Sequence, residues 1–257
     1  MKTEISKAQI DRLGDRLRKG NLTDSDLRLL DEYRRSFTSA YEKVVGLIRR
    51  ELEVDPTGRP AKSTTSIGEK LRRESIRLSQ IQDISGCRLI VAEIADQDFM
   101  VAALSKLFPT SAVIDRRQKP SHGYRAVHVV ATIQKRAVEI QVRTALQQLW
   151  AELSEKLSDL VDPAIKYGGG SESIQRILTK ASALVIRQED FELRLISQKK
   201  RANRLLSTPR PEGQVNEADV RVIQALQERV DSHQEHVIKA REVVLECLKD
   251  IVKDLSD

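Results

Sequence analysis

Residues 86–144 alternate between apolar and polar side chains, and longer helical patterns flank this block on both sides. Because successive side chains of a strand point to opposite faces, a period of two indicates strands with one buried face. The runs of this kind predict strands at 86–94, 111–117, 126–133 and 137–144. A helical pattern at 96–107 separates the first two strands, and the last two are close enough for a hairpin through 134–136.

Apolar residues spaced three and four apart predict helices on either side of the β-rich block. The predicted helices cover 5–19, 23–53, about 66–79, 145–160, about 172–206 and 215–256. The intervening segment "DPTGRPAKSTT", 55–65, is rich in helix breakers and predicts a loop. Ser66 followed by Glu69 fits a capping box, which predicts that the next helix begins at Ser66.

The order of these elements predicts an α+β fold with a mixed β-sheet of four to five strands flanked by helices. The strongest break in the sequence is "KYGGGS" at 166–171. We therefore expect N-terminal helices in 1–54, a central domain in 55–170 and a C-terminal helical hairpin in 171–257.

The second helix of the hairpin carries an apolar seam, with spacings that alternate between three and four. The seam consists of Ile223, Leu226, Val230, His233, Val237, Ala240 and Val244. Such a stripe packs against another helix. That helix belongs either to the same chain or to a second copy or partner protein, and both alternatives stay open at this point.

The composition is that of a soluble globular protein, with 40% hydrophobic and 32% charged residues in 257. No apolar run approaches the roughly 18 to 20 residues of a membrane span, and the charged amphipathic start lacks a signal-peptide core. We expect a cytoplasmic protein without a membrane partner. Cys87 and Cys247 lie far apart without a CxxC pair, so a buried reduced thiol is expected at each.

The net charge of +6 favours anionic ligands, and its distribution is uneven. Residues 59–77 carry six basic side chains against two acidic ones. On the predicted helix, Lys70, Arg73 and Arg77 share one face at positions i, i+3 and i+7. This segment predicts a phosphate-binding surface, with an ordinary solvated helix face as the alternative.

The run "VEIQVRT", 138–144, places polar residues at every second position of a predicted strand. Glu139, Gln141 and Arg143 would share one face and the valines and isoleucine the other. Asp83 stands just before the first strand of the same sheet. Two carboxylates near many cationic side chains are typical of a Mg²⁺ and phosphate site, whereas a half-solvated strand is the alternative.

The motifs occur in the order "SIxxK", "DIxGxR", "GYRxxH", "EIQxRT" and then "WA". In this order they resemble the synthetase domain of the RelA/SpoT family, including its small alarmone synthetases, over roughly residues 59–170. The resemblance implies a nucleotidyltransferase-like fold and transfer of the β,γ-pyrophosphate of ATP to the 3′-hydroxyl of GDP or GTP, which makes (p)ppGpp. Mg²⁺ is the implied cofactor.

The resemblance also implies roles for the matching residues. Asp83 and Glu139 correspond to the Mg²⁺ ligands, and Glu139 is also the base that takes the proton from the 3′-hydroxyl. Tyr124 corresponds to the aromatic residue that stacks on the acceptor base. The basic residues implied around ATP are Arg59, Lys62, Lys70 and Arg88. Further residues expected on the acceptor side are Arg116, Arg117, Lys119 and His128. Supporting positions are Ser66, Arg73, Arg77, Gln141 and Arg143.

The sequence departs from the family pattern mainly on the acceptor side. The segment "DRRQKPSHGY" lacks an aromatic residue after Asp115, Glu155 stands where many members have histidine, and one extra residue separates Arg59 from Ser66. A toxin-type enzyme that pyrophosphorylates the 3′ end of tRNA is therefore an alternative. Its partner would be an antitoxin, bound through the C-terminal helices that could equally form a homo-oligomer. A non-catalytic regulatory or RNA-binding module is the second alternative.

Overall fold

Five β-strands form one mixed sheet in the computed structural model of the protein, which describes residues 5–207 and 217–254. The strands are β1 (Thr57–Arg59), β2 (Ser85–Val91), β3 (Ala112–Asp115), β4 (Val127–Ile133) and β5 (Arg136–Thr144). Their order across the sheet is β1-β2-β5-β4-β3, and the pairs β1–β2, β3–β4 and β4–β5 are antiparallel. The predicted α+β fold with a mixed sheet is confirmed.

Helices precede, interrupt and follow the strands. They are α1 (Lys7–Lys19), α2 (Asp24–Arg35), α3 (Thr38–Leu52), α4 (Thr64–Arg73), α5 (Ile94–Leu107), α6 (Ala145–Leu160), α7 (Glu172–Ser207) and α8 (Glu217–Asp254). Short 3₁₀ segments cover Leu78–Gln80 and Pro163–Tyr167. The last four helices begin and end within a few residues of the predicted bounds, and β4 and β5 form the predicted hairpin.

The single helix predicted over 23–53 is wrong, because the chain breaks into α2 and α3 at Ser36 and Phe37. The Ser36 hydroxyl donates a hydrogen bond to the Tyr33 carbonyl (2.5 Å), which is a local alternative to continued helix. The break also lets Tyr33 and Phe37 pack edge to face with ring centroids 5.2 Å apart. Both rings are buried, so the break contributes to the core.

The prediction that a helix covers 66–79 is wrong at both ends. Ser63, and not Ser66, is the N-cap of α4, because its hydroxyl accepts the Ser66 backbone N–H at 3.2 Å. The helix ends at Arg73, so Arg77 does not share a helical face with Lys70. The backbone is extended at Glu74, and the Arg18 guanidinium binds the end of the helix, with Nε donating to the Leu71 carbonyl at 2.7 Å.

The chain forms two compact units, each assembled from segments that are distant in sequence. The first unit contains Met1–Leu89, Met100–Asp115 and Val127–Val142, and the second contains Ile90–Phe99, Arg116–Ala126 and Arg143–Asp257. The core of the first unit joins α1 and α2 to α4, and includes Leu13, Leu30, Tyr33, Ile67, Leu71, Leu78 and Ile84. The core of the second unit joins α6 to α7, and includes Leu146, Trp150, Leu153, Ile165, Leu178 and Val185. The three-part division at 54 and 170 stays a prediction.

The second unit also contains the C-terminal hairpin. α8 packs against both α6 and α7, and Val237 in the centre of its seam is 5% exposed. Gln188 of α7 donates to the Val237 carbonyl at 3.0 Å. Val237 therefore packs within the chain, whereas Val230, His233 and Ala240 are partly exposed. The side chains of Ile223, Leu226 and Val244 lie outside the described residues.

Two further expectations concern the cysteines and the membrane. Cys87 is buried, and burial raises the pKa of its thiol to about 12, so the thiol stays protonated. The side chain of Cys247 lies outside the described residues. Within residues 5–207 and 217–254, no helix combines the length and hydropathy that a bilayer crossing requires.

The position of the α4 N-cap gives a stability prediction with a matched control. Ser63→Ala should lower the free energy of unfolding by about 1 kcal/mol, because it removes the acceptor for the Ser66 N–H. Ser66→Ala removes a hydroxyl of the same size from the first turn and should have a smaller effect. Urea unfolding of the two variants measures the difference, and the opposite ranking would contradict the assigned cap.

Candidate active site

Asp83 stands at the centre of a charged cluster in the first unit. The Nζ atom of Lys62 lies 2.6 Å from Asp83 Oδ2, and that of Lys70 lies 2.9 Å from Asp83 Oδ1. The three side chains are only 15%, 21% and 18% exposed for Lys62, Lys70 and Asp83 respectively. Burial would raise the pKa of Asp83, but the two ammonium groups outweigh it and hold that pKa at about 2. Asp83 is therefore ionised at neutral pH.

Backbone hydrogen bonds fix the segment that carries Lys62. Its N–H donates to the Ile84 carbonyl at 2.6 Å, beside Asp83 in sequence. Its carbonyl accepts from Arg34 Nε of α2 at 2.7 Å. Both backbone polar groups of Lys62 are thus hydrogen-bonded. The extra residue between Arg59 and Ser66 does not prevent the Lys62 side chain from reaching Asp83.

Lys70 reaches Asp83 from the middle of α4. The buried face of this helix is anchored in the core, where Ile67 is 0% and Leu71 is 1% exposed. Lys70 stands one residue before Leu71, about 100° around the helix from it, and therefore lies at the edge of the buried face. The helix therefore presents one ammonium group at a fixed place beside its buried face.

Glu139 lies in the middle of β5, where the side chains alternate as predicted. Val138 and Ile140 are completely buried, whereas Glu139 and Gln141 on the other face are partly exposed, with 12% of the Glu139 side chain accessible. His128 Nδ1 lies 2.9 Å from Glu139 Oε1, and Gln141 Nε2 donates to Glu139 Oε2 at 2.8 Å. Burial would raise the pKa of Glu139, but the hydrogen bond with His128 and the Gln141 amide outweigh it and lower that pKa.

Gly86 permits the close approach of β2 to Glu139. A Cβ atom at this position would lie 2.8 Å from the Glu139 carbonyl oxygen and 3.6 Å from the Glu139 Cβ. A side chain there would push the two strands apart. On the other side of β2, the backbone of Arg59 in β1 pairs with Gly86. Arg88 lies two residues after Gly86 in β2 and therefore on the same face of the sheet as Gly86. The Arg59 side chain lies outside the described residues.

The two carboxylates fit a Mg²⁺ ion that is shared with a phosphate ligand. The negative charge of Asp83 partly opposes the lowering of the Glu139 pKa. In the described part of the chain, no group of three or more His, Cys, Asp or Glu side chains is placed to hold a metal. Mg²⁺ commonly takes one or two carboxylates and completes its coordination with water and substrate phosphates. The donor set therefore suits Mg²⁺ bound with a nucleotide and not a closed protein metal site.

Three predicted supporting residues make different contacts. Ser66 lies in the first turn of α4, where its N–H is capped by Ser63. Arg73 forms an ion pair with Glu74 at 3.0 Å, and Arg77 lies 3.9 Å from Asp11 and is 70% exposed.

Tyr124 belongs to the second unit, in a turn that Gly123 makes possible. Gly123 has φ +88, and a Cβ there would lie 2.8 Å from the Trp150 ring. The Arg143 guanidinium lies over the Tyr124 ring at 5.1 Å, and Arg143 also donates to the Tyr124 hydroxyl at 3.1 Å. Arg143 itself is 4% exposed, and its other end donates to Gln148 at 2.9 Å. The ring is therefore held in a defined orientation.

The three basic residues of the acceptor segment differ in their surroundings. Arg117 forms an ion pair with Asp98 at 2.8 Å and also donates to Gln97 at 3.2 Å. Arg116 and Lys119 are exposed. Arg117 therefore contributes to the shape of the segment, and its two neighbours present charge to solvent.

Two residues that contact the acceptor segment, Arg125 and Glu189, were not predicted from the sequence. Arg125 stands inside the recognised motif "GYRAVH", which was an available signal. Its Nε donates to Glu189 of α7 at 2.9 Å. Glu189 gave no signal, because a glutamate on a long helix is ordinary and its partner lies 64 residues away.

Comparisons with known proteins identify relatives of part of this chain. A family model described as "Region found in RelA / SpoT proteins" matches residues 58–158. GTP pyrophosphokinase YjbM of Bacillus subtilis is 31% identical over 150 residues, which are 52% of this chain and 67% of that protein. The crystal structure of small alarmone synthetase 1 from Bacillus subtilis matches with a TM-score of 0.51 and 26% identity, and covers 70% of this chain and 100% of that one.

A mycobacterial relative matches over a smaller share of its length. Uncharacterized protein Rv1366 of Mycobacterium tuberculosis is 36% identical over 124 residues, which are 44% of this chain and 43% of that protein. The match therefore spans less than half of that relative. Together with the family model and the Bacillus subtilis proteins, the motif order and the sheet lead to one conclusion: the chain belongs to the RelA/SpoT family.

Proposed function

We propose that this protein is an ATP-dependent pyrophosphokinase that moves the β,γ-pyrophosphate of ATP to the 3′-hydroxyl of GDP or GTP. The observation that carries this proposal is the cluster of Asp83, Lys62 and Lys70 in the same unit as Glu139. Two ionised carboxylates beside two ammonium groups match the charge pattern that a metal-bound triphosphate requires. The similarity to a GTP pyrophosphokinase supports the same reaction.

The basic residues neutralise the transferred group. In the reaction the Pβ–O bond to the α-phosphate breaks, a bond from the 3′-oxygen to Pβ forms, and AMP leaves. Lys62 and Lys70 would contact phosphate oxygens, since both Nζ atoms already converge on one point. Asp83 and Glu139 are the residues that would hold Mg²⁺, which when bound offsets the negative charge of the phosphates. Arg59 and Arg88 are assigned to ATP on the basis of their motifs.

Glu139 is proposed to accept the proton of the 3′-hydroxyl. Its lowered pKa keeps it ionised, and hydrogen bonding with His128 and Gln141 fixes its orientation. A general base must be ionised and held in place before it can act. His128 and Gln141 thus have a positioning role in this proposal.

Tyr124 is proposed to stack on the base of the acceptor. Its ring is already oriented by Arg143, and an ordered aromatic ring loses little entropy when a base stacks on it. Arg116 and Lys119 are proposed to contact acceptor phosphates, because both are exposed.

The 3′ end of tRNA is the second candidate acceptor. The observation that favours it is the acceptor segment "DRRQKPSHGY", which departs from the family pattern and presents two exposed cations. A polynucleotide would use such cations through its backbone phosphates. An antitoxin or a second copy would be the partner in that case. A non-catalytic module is less well supported, because both carboxylates and both lysines are present and in contact or close by.

The first prediction from the proposed function concerns the two carboxylates. Asp83→Asn and Glu139→Gln should each lower pyrophosphate transfer by at least about 10² to 10⁴-fold, because each removes a charge from the proposed metal site. Transfer is measured with γ-labelled ATP and Mg²⁺ against GDP, GTP and total tRNA. The matched control is Asp55→Asn, which changes an exposed carboxylate of the first unit and should retain activity. Unchanged turnover in either site variant would refute the assignment.

The second prediction separates the two acceptors. Tyr124→Ala should raise the acceptor KM about 5 to 150-fold with little change in the ATP KM, because stacking contributes about 1 to 3 kcal/mol per base. Charge reversal by Arg116→Glu and Lys119→Glu should raise the KM of a nucleotide acceptor modestly. With tRNA the same reversal should weaken binding strongly and reduce its dependence on salt. Equal effects of Tyr124→Ala on both substrates would exclude the stacking role.

The third prediction tests the Asp83 cluster without any substrate. The folded-state pKa of Asp83 is about 2 and its usual value is 3.8, so ionised Asp83 stabilises the fold above pH 3.8. That contribution is lost as the pH falls from 3.8 toward about 2. The difference in unfolding free energy between wild type and Asp83→Asn should therefore be constant near neutral pH and shrink in this acidic window. Urea unfolding at a series of pH values measures it, and a difference independent of pH would contradict the ion pairs.

A further inference from the structure

A buried ion pair joins the acceptor segment, residues 116–126, to the C-terminal hairpin. Arg125 directly follows Tyr124, and its Nε and Nη2 atoms both donate to one carboxylate oxygen of Glu189. The two side chains are 12% and 3% exposed. The third contact of this guanidinium, from Nη1, reaches the Arg117 carbonyl at 2.7 Å. Arg125 thus ties both ends of the segment to a single side chain of α7.

The other carboxylate oxygen of Glu189 continues the network. It accepts a hydrogen bond from Gln147 Nε2 at 2.7 Å, and the Gln147 and Gln97 side-chain amides bond to each other at 2.8 Å. Gln97 in turn accepts from the Arg117 side chain. The network is therefore a closed ring that joins Glu189 to Arg117 by two paths. One path runs through Arg125 to the Arg117 carbonyl, and the other runs through the Gln147 and Gln97 side chains to the Arg117 side chain.

One face of α7 makes further contacts of the same kind. Ser182, two helical turns before Glu189, donates to the Gly123 carbonyl at 3.1 Å. Glu192, one turn after Glu189, accepts from the backbone N–H of Ile94 at 3.1 Å, at the first residue of α5. α5 carries Gln97 and Asp98, which bind Arg117. A single helical face thus holds the acceptor segment directly and also through α5.

A buried charge pair is a poor choice if only stability is required. Apolar residues of similar volume often stabilise a protein as well or better, because an ion pair must be desolvated. The pair instead fixes the relative orientation of the two side chains, because a guanidinium and a carboxylate bind only in a restricted geometry. We propose that Glu189 is a positioning residue that sets the conformation of segment 116–126 through Arg125 and Gln147, so that the C-terminal hairpin controls acceptor binding. This inference rests on the proposed acceptor role of Tyr124.

The control arises because Tyr124 stands beside Arg125 in the chain. Any movement of α7 is transmitted to the backbone on both sides of Tyr124, through Gly123 on one side and Arg125 on the other. The Lys62–Asp83–Lys70 cluster belongs to the other unit and shares no residue with this network. Acceptor binding should therefore respond to α7 while ATP binding does not.

The main test is Glu189→Gln, which keeps the shape of the side chain and removes its charge. We expect the acceptor KM to rise about tenfold or more and the ATP KM to stay within about twofold, because a hydrogen-bonded buried charge loses its partner. The matched control is Asp190→Asn, which changes an exposed carboxylate at the next position of the same helix. It should leave both KM values unchanged.

The second readout does not depend on activity. Trp150 is the only tryptophan in the sequence, and its ring lies 6.5 Å from that of Tyr124 and against Gly123. Displacement of the acceptor segment should expose it. We expect acrylamide to quench its fluorescence more strongly in Glu189→Gln than in wild type or Asp190→Asn. If wild type transfers pyrophosphate to none of the acceptors, the proposed function fails, but this measurement still decides whether Glu189 positions the segment.

A double variant distinguishes positioning from simple destabilisation. Arg125→Gln with Glu189→Gln replaces the ion pair by two neutral amides that can bond to each other. It should bring the acceptor KM and the quenching of Trp150 back toward wild type relative to either single variant, because no unpaired charge remains. Unchanged acceptor KM and quenching in Glu189→Gln would overturn the inference. The inference would also be overturned if Glu189→Gln lowered the melting temperature and raised both KM values equally, and if the double variant did not restore them.

Discussion

The close approach of β2 to β5 at Gly86 is the constraint on which the candidate active site depends. No side chain fits between Gly86 and the Glu139 carbonyl, where a Cβ atom would come within 2.8 Å. The glycine thereby allows a strand that begins just after Asp83 to lie directly against the strand that carries Glu139. The same β2 residues pair with β1 on the other side, with Arg59 opposite Gly86. One residue without a side chain thus permits the close spacing of the strand that follows Asp83 and the strand that carries Glu139.

The charges around this constraint are assembled before any ligand arrives. Asp83 is neutralised by Lys62 and Lys70, and Glu139 is stabilised by His128 and Gln141. Groups that are already desolvated and oriented need little reorganisation when a phosphate binds, which is the main source of electrostatic catalysis. Lysine suits this place because its ammonium is a compact charge on a flexible stem. In the proposed function, a phosphate oxygen would meet two ammonium groups that already converge on one point.

Local patterns predicted the sheet and the long helices well, because burial of one face leaves a period of two or 3.6 in the sequence. The run "VEIQVRT" became β5 with Val138 and Ile140 buried, as the alternation required. The break at Ser36 was missed because a single hydroxyl-to-carbonyl bond leaves no periodic trace. Ser63 and Ser66 both suit an N-cap, so only the path of the chain decided between them. Of the site, the motifs pointed to Asp83, Lys62 and Lys70, which the structure brings together, whereas the pairing of Arg125 with Glu189 depends on tertiary structure.

The lowered pKa of Glu139 bears on its proposed role as the base in pyrophosphate transfer. Hydrogen bonding with His128 stabilises the carboxylate and so reduces its affinity for a proton. Phosphoryl-type transfers pass through a loose transition state in most analyses, in which bonding to the attacking oxygen is slight. The hydroxyl then loses its proton late, when the new bond to phosphorus has already made that proton acidic. Under these conditions the position of the proposed base would matter more than its basicity, and a carboxylate fixed by two neighbours on the face of a strand would suit that role.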